Sequence, residues 1–145
     1  MAYSGYFKPK NPNKYVGNAS NIVYRSSWEC RVMNWLDNNK DIISWASEEI
    51  AIPYISPVDG KYHRYFPDFL VKTRTKEGGT KTMMIEVKPK KQTMEPKKRS
   101  RVTKQYIAEV ATYGINIAKW KAAQEYCLDR GWEFKLVTET DLGLG

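Results

Sequence analysis

The sequence predicts an α/β domain whose sheet is mixed, mainly antiparallel, and flanked by helices. Three observations carry that expectation. Runs of β-branched and aromatic residues recur at 48–55, 61–72 and 80–88 with turn-forming stretches between them, which reads as an antiparallel meander. A capping signature opens a helix ahead of the meander, and a longer helical stretch follows it. Behind that stretch Trp132-Glu133-Phe134-Lys135-Leu136-Val137 alternates as a last strand, and a helix between 80–88 and 132–137 permits those two strands to pair in parallel.

Residues 1–24 are rich in Lys, Asn, Tyr, Gly and Pro and show neither a helical nor a strand period. They read as an N-terminal arm, either a mobile terminus or one that offers Lys8, Lys10 and Lys14 to phosphates. Ser26-Ser27-Trp28-Glu29 fits a capping box, with Ser26 as N-cap and Glu29 three residues on. Trp28, Val32, Trp35 and Leu36 then recur at helical spacing, which predicts a helix over 27–38. Residues 42–46 form a short strand or turn, and Pro53 marks 48–55 as an edge or bulged strand. Asp59-Gly60 is a hairpin signal, and residues 76–80 form the next turn. Thr103 is placed to cap the second helix, which runs to about residue 128 with a break expected near Gly114, and Gly131 stands where it stops. Within that helix Ile107, Val110 and Ala111 make one stripe, and Trp120, Ala123, Gln124 and Cys127 another; both are assigned to the core.

A length of 145 residues accommodates one domain and one modest core. Two cysteines far apart, Cys30 and Cys127, give neither a disulfide scaffold nor a zinc cluster, and free thiols in a reducing compartment are the expectation. With no signal peptide and no long apolar run, a soluble chain with no membrane partner is expected. The 24 Lys+Arg against 16 Asp+Glu give a net charge of +8 and favour a polyanionic partner, and the absence of a clean basic amphipathic helix turns that preference toward nucleic acid.

Phe66-Pro67-Asp68-Phe69-Leu70 and Ile85-Glu86-Val87-Lys88 are where chemistry concentrates. Alternation along a strand puts Glu86 and Lys88 on one face, with Ile85 and Val87 on the other. Seventeen residues with a turn in the middle separate Asp68 from Glu86, so a hairpin brings Asp68 beside Glu86 and Lys88, near the centre of the predicted sheet. Two carboxylates and an ammonium converging on a sheet are costly to desolvate unless something uses them. A hard divalent cation would: Mg²⁺ takes one or two carboxylates, waters and a phosphate oxygen, and Mn²⁺ is expected to substitute. The plainer reading is an exposed hairpin with solvated charges. His63, the single histidine, lies on the same predicted strand as Asp68 and reads as a surface or supporting residue rather than a base.

Pro-Asp, a spacer, then Glu-x-Lys resembles the signature of the PD-(D/E)xK nuclease superfamily, and Arg64-Tyr65-Phe66-Pro67-Asp68-Phe69-Leu70 resembles the form found in phage junction-resolving and transposon end-cleaving endonucleases. Residues 6–15, Tyr24-Arg25-Ser26-Ser27-Trp28-Glu29, residues 49–54, Glu86-Val87-Lys88-Pro89 and Trp120-Lys121-Ala122-Ala123 together resemble the head completion nucleases of T-even-type tailed phages. The resemblance implies a restriction-endonuclease-like core and Mg²⁺-dependent hydrolysis of DNA phosphodiesters. It implies a factor that acts on packaged DNA before tail attachment, in the host cytoplasm or with the virion, with portal, neck or head proteins as partners. Asp68, Glu86 and the main-chain carbonyl of Val87 would hold the metal, and Lys88 would orient the attacking water. In that superfamily a first-helix glutamate often reaches the metal site, so Glu29 carries two readings, cap and catalytic residue.

From residue 88 to 104 there are eight basic residues and one acid. Lys90, Lys91, Lys97, Lys98, Arg99, Arg101 and Lys104 are therefore the expected DNA-binding set, gripping phosphates without reading sequence. Two other functions stay open at this stage: a branch-specific endonuclease of the Holliday-junction type, and a non-catalytic plug for a DNA end or portal. Monomer and homodimer are equally open.

Overall fold

The computed structural model describes residues 2–143 of the chain, with side chains from residue 4 onward. In chain order the elements are β1 (Ala2–Phe7), β2 (Ile22–Ser26), α1 (Ser27–Asn38), β3 (Ile42–Ser47), β4 (Ile52–Ile55), β5 (Tyr62–Tyr65), β6 (Phe69–Arg74), β7 (Thr80–Val87), α2 (Lys104–Arg130) and β8 (Glu133–Val137), with 3₁₀ turns at Pro12–Lys14 and Lys90–Thr93. The class is the expected one, a mixed α/β arrangement with a mainly antiparallel sheet and two helices.

The central sheet has the order β3-β6-β7-β8. Pairing is antiparallel for β3 with β6 and for β6 with β7, and parallel for β7 with β8 across the α2 crossover. Two expectations fail in the meander. The strand expected at 61–72 is two strands, because Pro67 has no amide to donate and the chain bends at Phe66-Pro67-Asp68. β5 pairs with β4 as a separate hairpin, while β6 enters the main sheet beside β3, the segment read only as a short strand or turn. Asp68 thus lies at the end of the sheet, at the joint between two strands, and not at its centre.

Strand alternation then sorts the core into two faces. Phe69, Val71 and Ile85 pack with Val32, Met33 and Leu36 of α1 and with Trp45. Leu70, Met84, Phe134 and Leu136 pack with Trp120, Ala123 and Cys127 of α2 and with Tyr54 and Tyr65 of the hairpin. Each large apolar side chain fully buried in this way contributes roughly 1.5–3 kcal/mol. On α1 the buried set includes Met33, whereas Trp35, counted in the predicted stripe, is 54% exposed.

The N-terminal arm is ordered by contacts no local period announces. β1 pairs with β2, and Phe7 and Tyr15 stand edge-on to Trp45 at ring-centroid distances of 5.8 and 4.8 Å. Asp37, 1% exposed, accepts from the amides of Lys10 and Asn11, and Lys14 Nζ donates to the carbonyls of Asp37 and Asn39. Lys14 is a tether of the arm.

α2 is capped by Thr103, whose hydroxyl accepts from the Tyr106 amide, and it closes at Gly131 in the left-handed conformation with φ 70°. It runs without the break expected at Gly114, since one glycine lowers helix propensity by only about 1 kcal/mol and packing against β4, β7 and β8 outweighs that. Its N-terminal half is not core: Ile107 and Val110 are 59% and 45% exposed, because the first buried residue on the helix is Asn116. Among the described residues no helix is long and apolar enough to cross a membrane, and Cys30 and Cys127 are free thiols.

Candidate active site

The register of the central sheet fixes what stands at its end. Ser47, Phe69 and Ile85 face one another across β3, β6 and β7, so the next position outward on each strand is Glu48, Asp68 and Glu86. Three acids from three neighbouring strands occupy one rung. Lys88, two residues beyond Glu86, shares its face, and its ammonium lies 3.8 Å from Glu86 Oε2.

Each carboxylate is held differently. Asp68 Oδ2 accepts from the Val87 amide at 2.7 Å, a bond that replaces the missing backbone rung opposite Pro67. Glu86 is 5% exposed, and its Oε1 has no hydrogen-bond partner among the described residues. Tyr65 projects toward it from β5, with a buried hydroxyl that stays outside hydrogen-bonding geometry; burial, then the charge of Glu86, pushes the phenol well above its ordinary value. Glu48 sits in the left-handed region with φ 54°, a conformation costly for a residue with a β-carbon. Its amide donates to the Asp68 carbonyl, and its carboxylate pairs with Arg25 at 3.1 Å.

Glu29 arrives from α1. Ser26 caps α1 as read, with the Glu29 amide donating to Ser26 Oγ, but the Glu29 carboxylate accepts from the Ser26 hydroxyl and the Arg25 amide rather than from the Ser26 amide of a full capping box. The same carboxylate forms a group with those of Glu48 and Asp68, one oxygen from each lying within 4.8 Å of the others; Glu86 stands outside that group. Cap and acid-cluster member are one residue in two roles.

Mutual proximity shows in the ionisation of these groups. Burial, then the charge of Glu86, raises the Asp68 carboxyl well above its ordinary value, while the Val87 amide pulls it back. Burial likewise raises Glu86, opposed chiefly by Lys88, and raises Glu29, opposed by the Arg25 amide and Ser26. Four acids gathered at one half-buried end, all with hard oxygen donors, repel one another unless a cation or protons intervene.

Comparison with known proteins decides the family. Residues 39–139, most of the chain and all of the central sheet, match the model of the TnsA-like endonuclease N-terminal domain. The chain belongs to the TnsA-like endonucleases.

This TnsA-like endonuclease is also 42% identical to a protein named head completion nuclease from Enterobacteria phage T4, over 146 aligned positions that span 98% of this chain and 95% of the relative. No solved structure matches it. Glu48, Asp68, Glu86 and Lys88 fall inside the family match, whereas Glu29 precedes it.

Of the residues singled out from sequence, the fold of this endonuclease brings together Asp68, Glu86, Lys88, Val87 and Glu29. Glu48 was not among them. Its signal, an acid at the end of a β-branched and aromatic run, is shared by Glu49, and only the β3–β6 register separates the two. The basic set leaves the site along residues 88–104. Lys90, Lys91, Lys97, Lys98, Arg99, Arg101 and Lys104 are exposed, and the segment is anchored by the Lys90 amide on Glu139 and by Arg99, which meets Glu109 at 3.5 Å. His63 lies on the separate hairpin, where its Nε2 meets Asp59 Oδ2 at 2.8 Å.

Proposed function

We propose that this chain is a metal-dependent DNA endonuclease that hydrolyses phosphodiester bonds during completion of a phage head. The observation that carries the reading is the acid rung Glu48-Asp68-Glu86 with Lys88 on its rim, opening onto a chain segment of strong positive charge.

The residues fit a divalent cation. Their donors are carboxylate oxygens, which suit Mg²⁺ or Mn²⁺ and not a soft metal. The unpartnered, buried Glu86 Oε1 and the raised Asp68 carboxyl describe a site short of positive charge. Asp68 and Glu86 would hold the ion, with the Val87 carbonyl, which strand geometry turns to the same side as the Val87 amide that reaches Asp68. Glu48 and Glu29 offer further oxygens to a second ion or its waters. When bound, such an ion supplies Lewis acidity at the phosphate and makes water acidic enough to react near neutrality.

The chain's own groups do the rest. Lys88 holds the nucleophilic water by its ammonium and offsets the negative charge that builds on the phosphoryl oxygens. The cations of residues 90–104 bind the flanking backbone by charge, without base contacts, so linear duplex is accepted irrespective of sequence. The relative's name, head completion nuclease, supports a place in head assembly; DNA as substrate, portal, neck or head proteins as candidate partners, and action in the host cytoplasm or with the virion complete the proposal.

The test is a titration of Mg²⁺ and Mn²⁺ against linear, nicked and four-way-branched DNA. Cutting that needs the metal and ends in Asp68→Ala, with DNA retention in a gel preserved, is expected. Metal-independent cutting, or undiminished cutting by that variant, overturns the site. Strong preference for the four-way junction turns the reading to a branch-specific enzyme, and binding with no cutting at all turns it to a DNA-end plug.

A further inference from the structure

Lys119, on α2, is a cation that neither the motif nor the basic segment accounts for. Its ammonium lies 5.9 Å from the Tyr54 ring centroid and 5.6 Å from that of Tyr65, and it has no hydrogen-bond or ion-pair partner among the described residues. Two aromatic faces therefore fix its position, and no ion pair among the described residues holds it.

Its height in the fold follows from element geometry. Cys127 Sγ meets Met84 Sδ at 3.8 Å, which sets α2 against β7 at one level. α2 runs antiparallel to β7, as a right-handed crossover requires. From Met84 to Lys88 the strand advances about 13 Å at ~3.3 Å per residue, and α2 covers the same distance in eight or nine residues at ~1.5 Å each. That brings Lys119 level with Lys88, on the face that carries Glu86. The electrostatics agree: burial lowers the Lys119 ammonium, Lys88 repels it further, and Glu86 acts in the opposite direction. Glu86 acts on both ammonium groups, and one carboxylate set against two cations on this side of the cleft favours the entry of a further anion.

We propose that Lys119 is a second phosphate-binding residue of the active site, its ammonium placed by the Tyr54 and Tyr65 rings and its N–H donors directed at a backbone phosphate oxygen next to the bond that is cut. The inference rests on the nuclease reading above, and adds to it a contact from the helix side of the cleft.

The test uses the full chain and a labelled linear duplex. Binding is read by anisotropy in EDTA across a salt series, and cleavage separately in Mg²⁺ and Mn²⁺. Lys119→Met, which preserves the stem, is expected to weaken binding about tenfold, the loss of one charge-assisted bond. It should also reduce the salt slope by about one and raise KM in proportion, with a smaller fall in kcat. Lys119→Arg should restore all three. Lys81→Met, at the far end of β7 where Lys81 pairs with Glu133 at 3.3 Å, should leave the slope unchanged. If Lys119→Met does not fold, as judged by melting, Lys119→Gln takes its place. Affinity and slope like those of the native chain overturn the proposal, as does a loss of kcat alone that arginine fails to rescue. A native chain that cuts nothing in either metal overturns the nuclease reading instead, and the binding series still decides whether Lys119 touches phosphate.

Discussion

Asp68 and Val87 are joined by a 2.7 Å hydrogen bond from main-chain amide to carboxylate, at the point where β6 and β7 cease to pair through their backbones. One oxygen of Asp68 is thereby committed to the fold, and the other takes no part in that bond.

The raised carboxyls at this end give a pH dependence of definite sign. An acid whose folded pKa lies above its unfolded one binds its proton more tightly when folded, so its contribution to stability grows as pH falls toward the ordinary range near ~4 and disappears above the raised value. At neutral pH without metal, Asp68, Glu86 and Glu29 therefore destabilise the protein. Asp68→Asn, which keeps an acceptor for Val87, is expected to melt higher than the native chain in EDTA at neutral pH, by about 2–4 °C per kcal/mol relieved. The difference should shrink on mild acidification and on addition of Mg²⁺, while cleavage is abolished. Calorimetry at two pH values with and without metal checks it; a variant that melts lower under all conditions contradicts it.

Glu48 is the acid the register adds. Glu48→Gln should weaken Mn²⁺ binding roughly 10–100-fold, as loss of a metal-site carboxylate or its support does. Glu49→Gln, at an exposed neighbour whose carboxylate accepts from the Tyr15 hydroxyl at 3.4 Å, should not. Titration of Mn²⁺ by its paramagnetic signal separates the two.

Charge reversal at Lys97, Lys98 and Arg99 should lower DNA affinity and flatten its dependence on salt by about 0.9 for each phosphate left without its cation. Turnover at saturating DNA should change far less, because these side chains are exposed and none touches the acid rung. A salt slope equal to the native one would place the DNA track elsewhere.

Ser26→Ala removes the N-cap of α1 and the hydroxyl that holds Glu29 Oε2. A loss of about 1 kcal/mol in denaturant unfolding is expected. Thr103→Ala, which uncaps a helix end exposed to solvent, should lose less.

Much of the site was legible because its rules are local. Period-two alternation places Glu86 and Lys88 on one face, and Ser26 three residues ahead of Glu29 marks the N-cap of α1. What escaped depends on contacts distant in sequence. Glu48 acquires its place only when β3 pairs with β6, and that pairing was hidden because Pro67 divides one apparent strand into members of two sheets. The arm showed no period because Phe7 and Tyr15 are single anchors aimed at Trp45, not a repeating face. Ile107 and Val110 have the spacing of a buried stripe, yet the body of the protein begins one turn or more beyond them.

The acid end is assembled from α1, β3, β6 and β7. Lys88, at the end of the last of these, is itself fixed by its amide on the Val137 carbonyl, in the final strand to leave the ribosome among those described. The backbone that carries Lys88 is therefore braced on both sides, by β6 before it in the chain and by β8 after it.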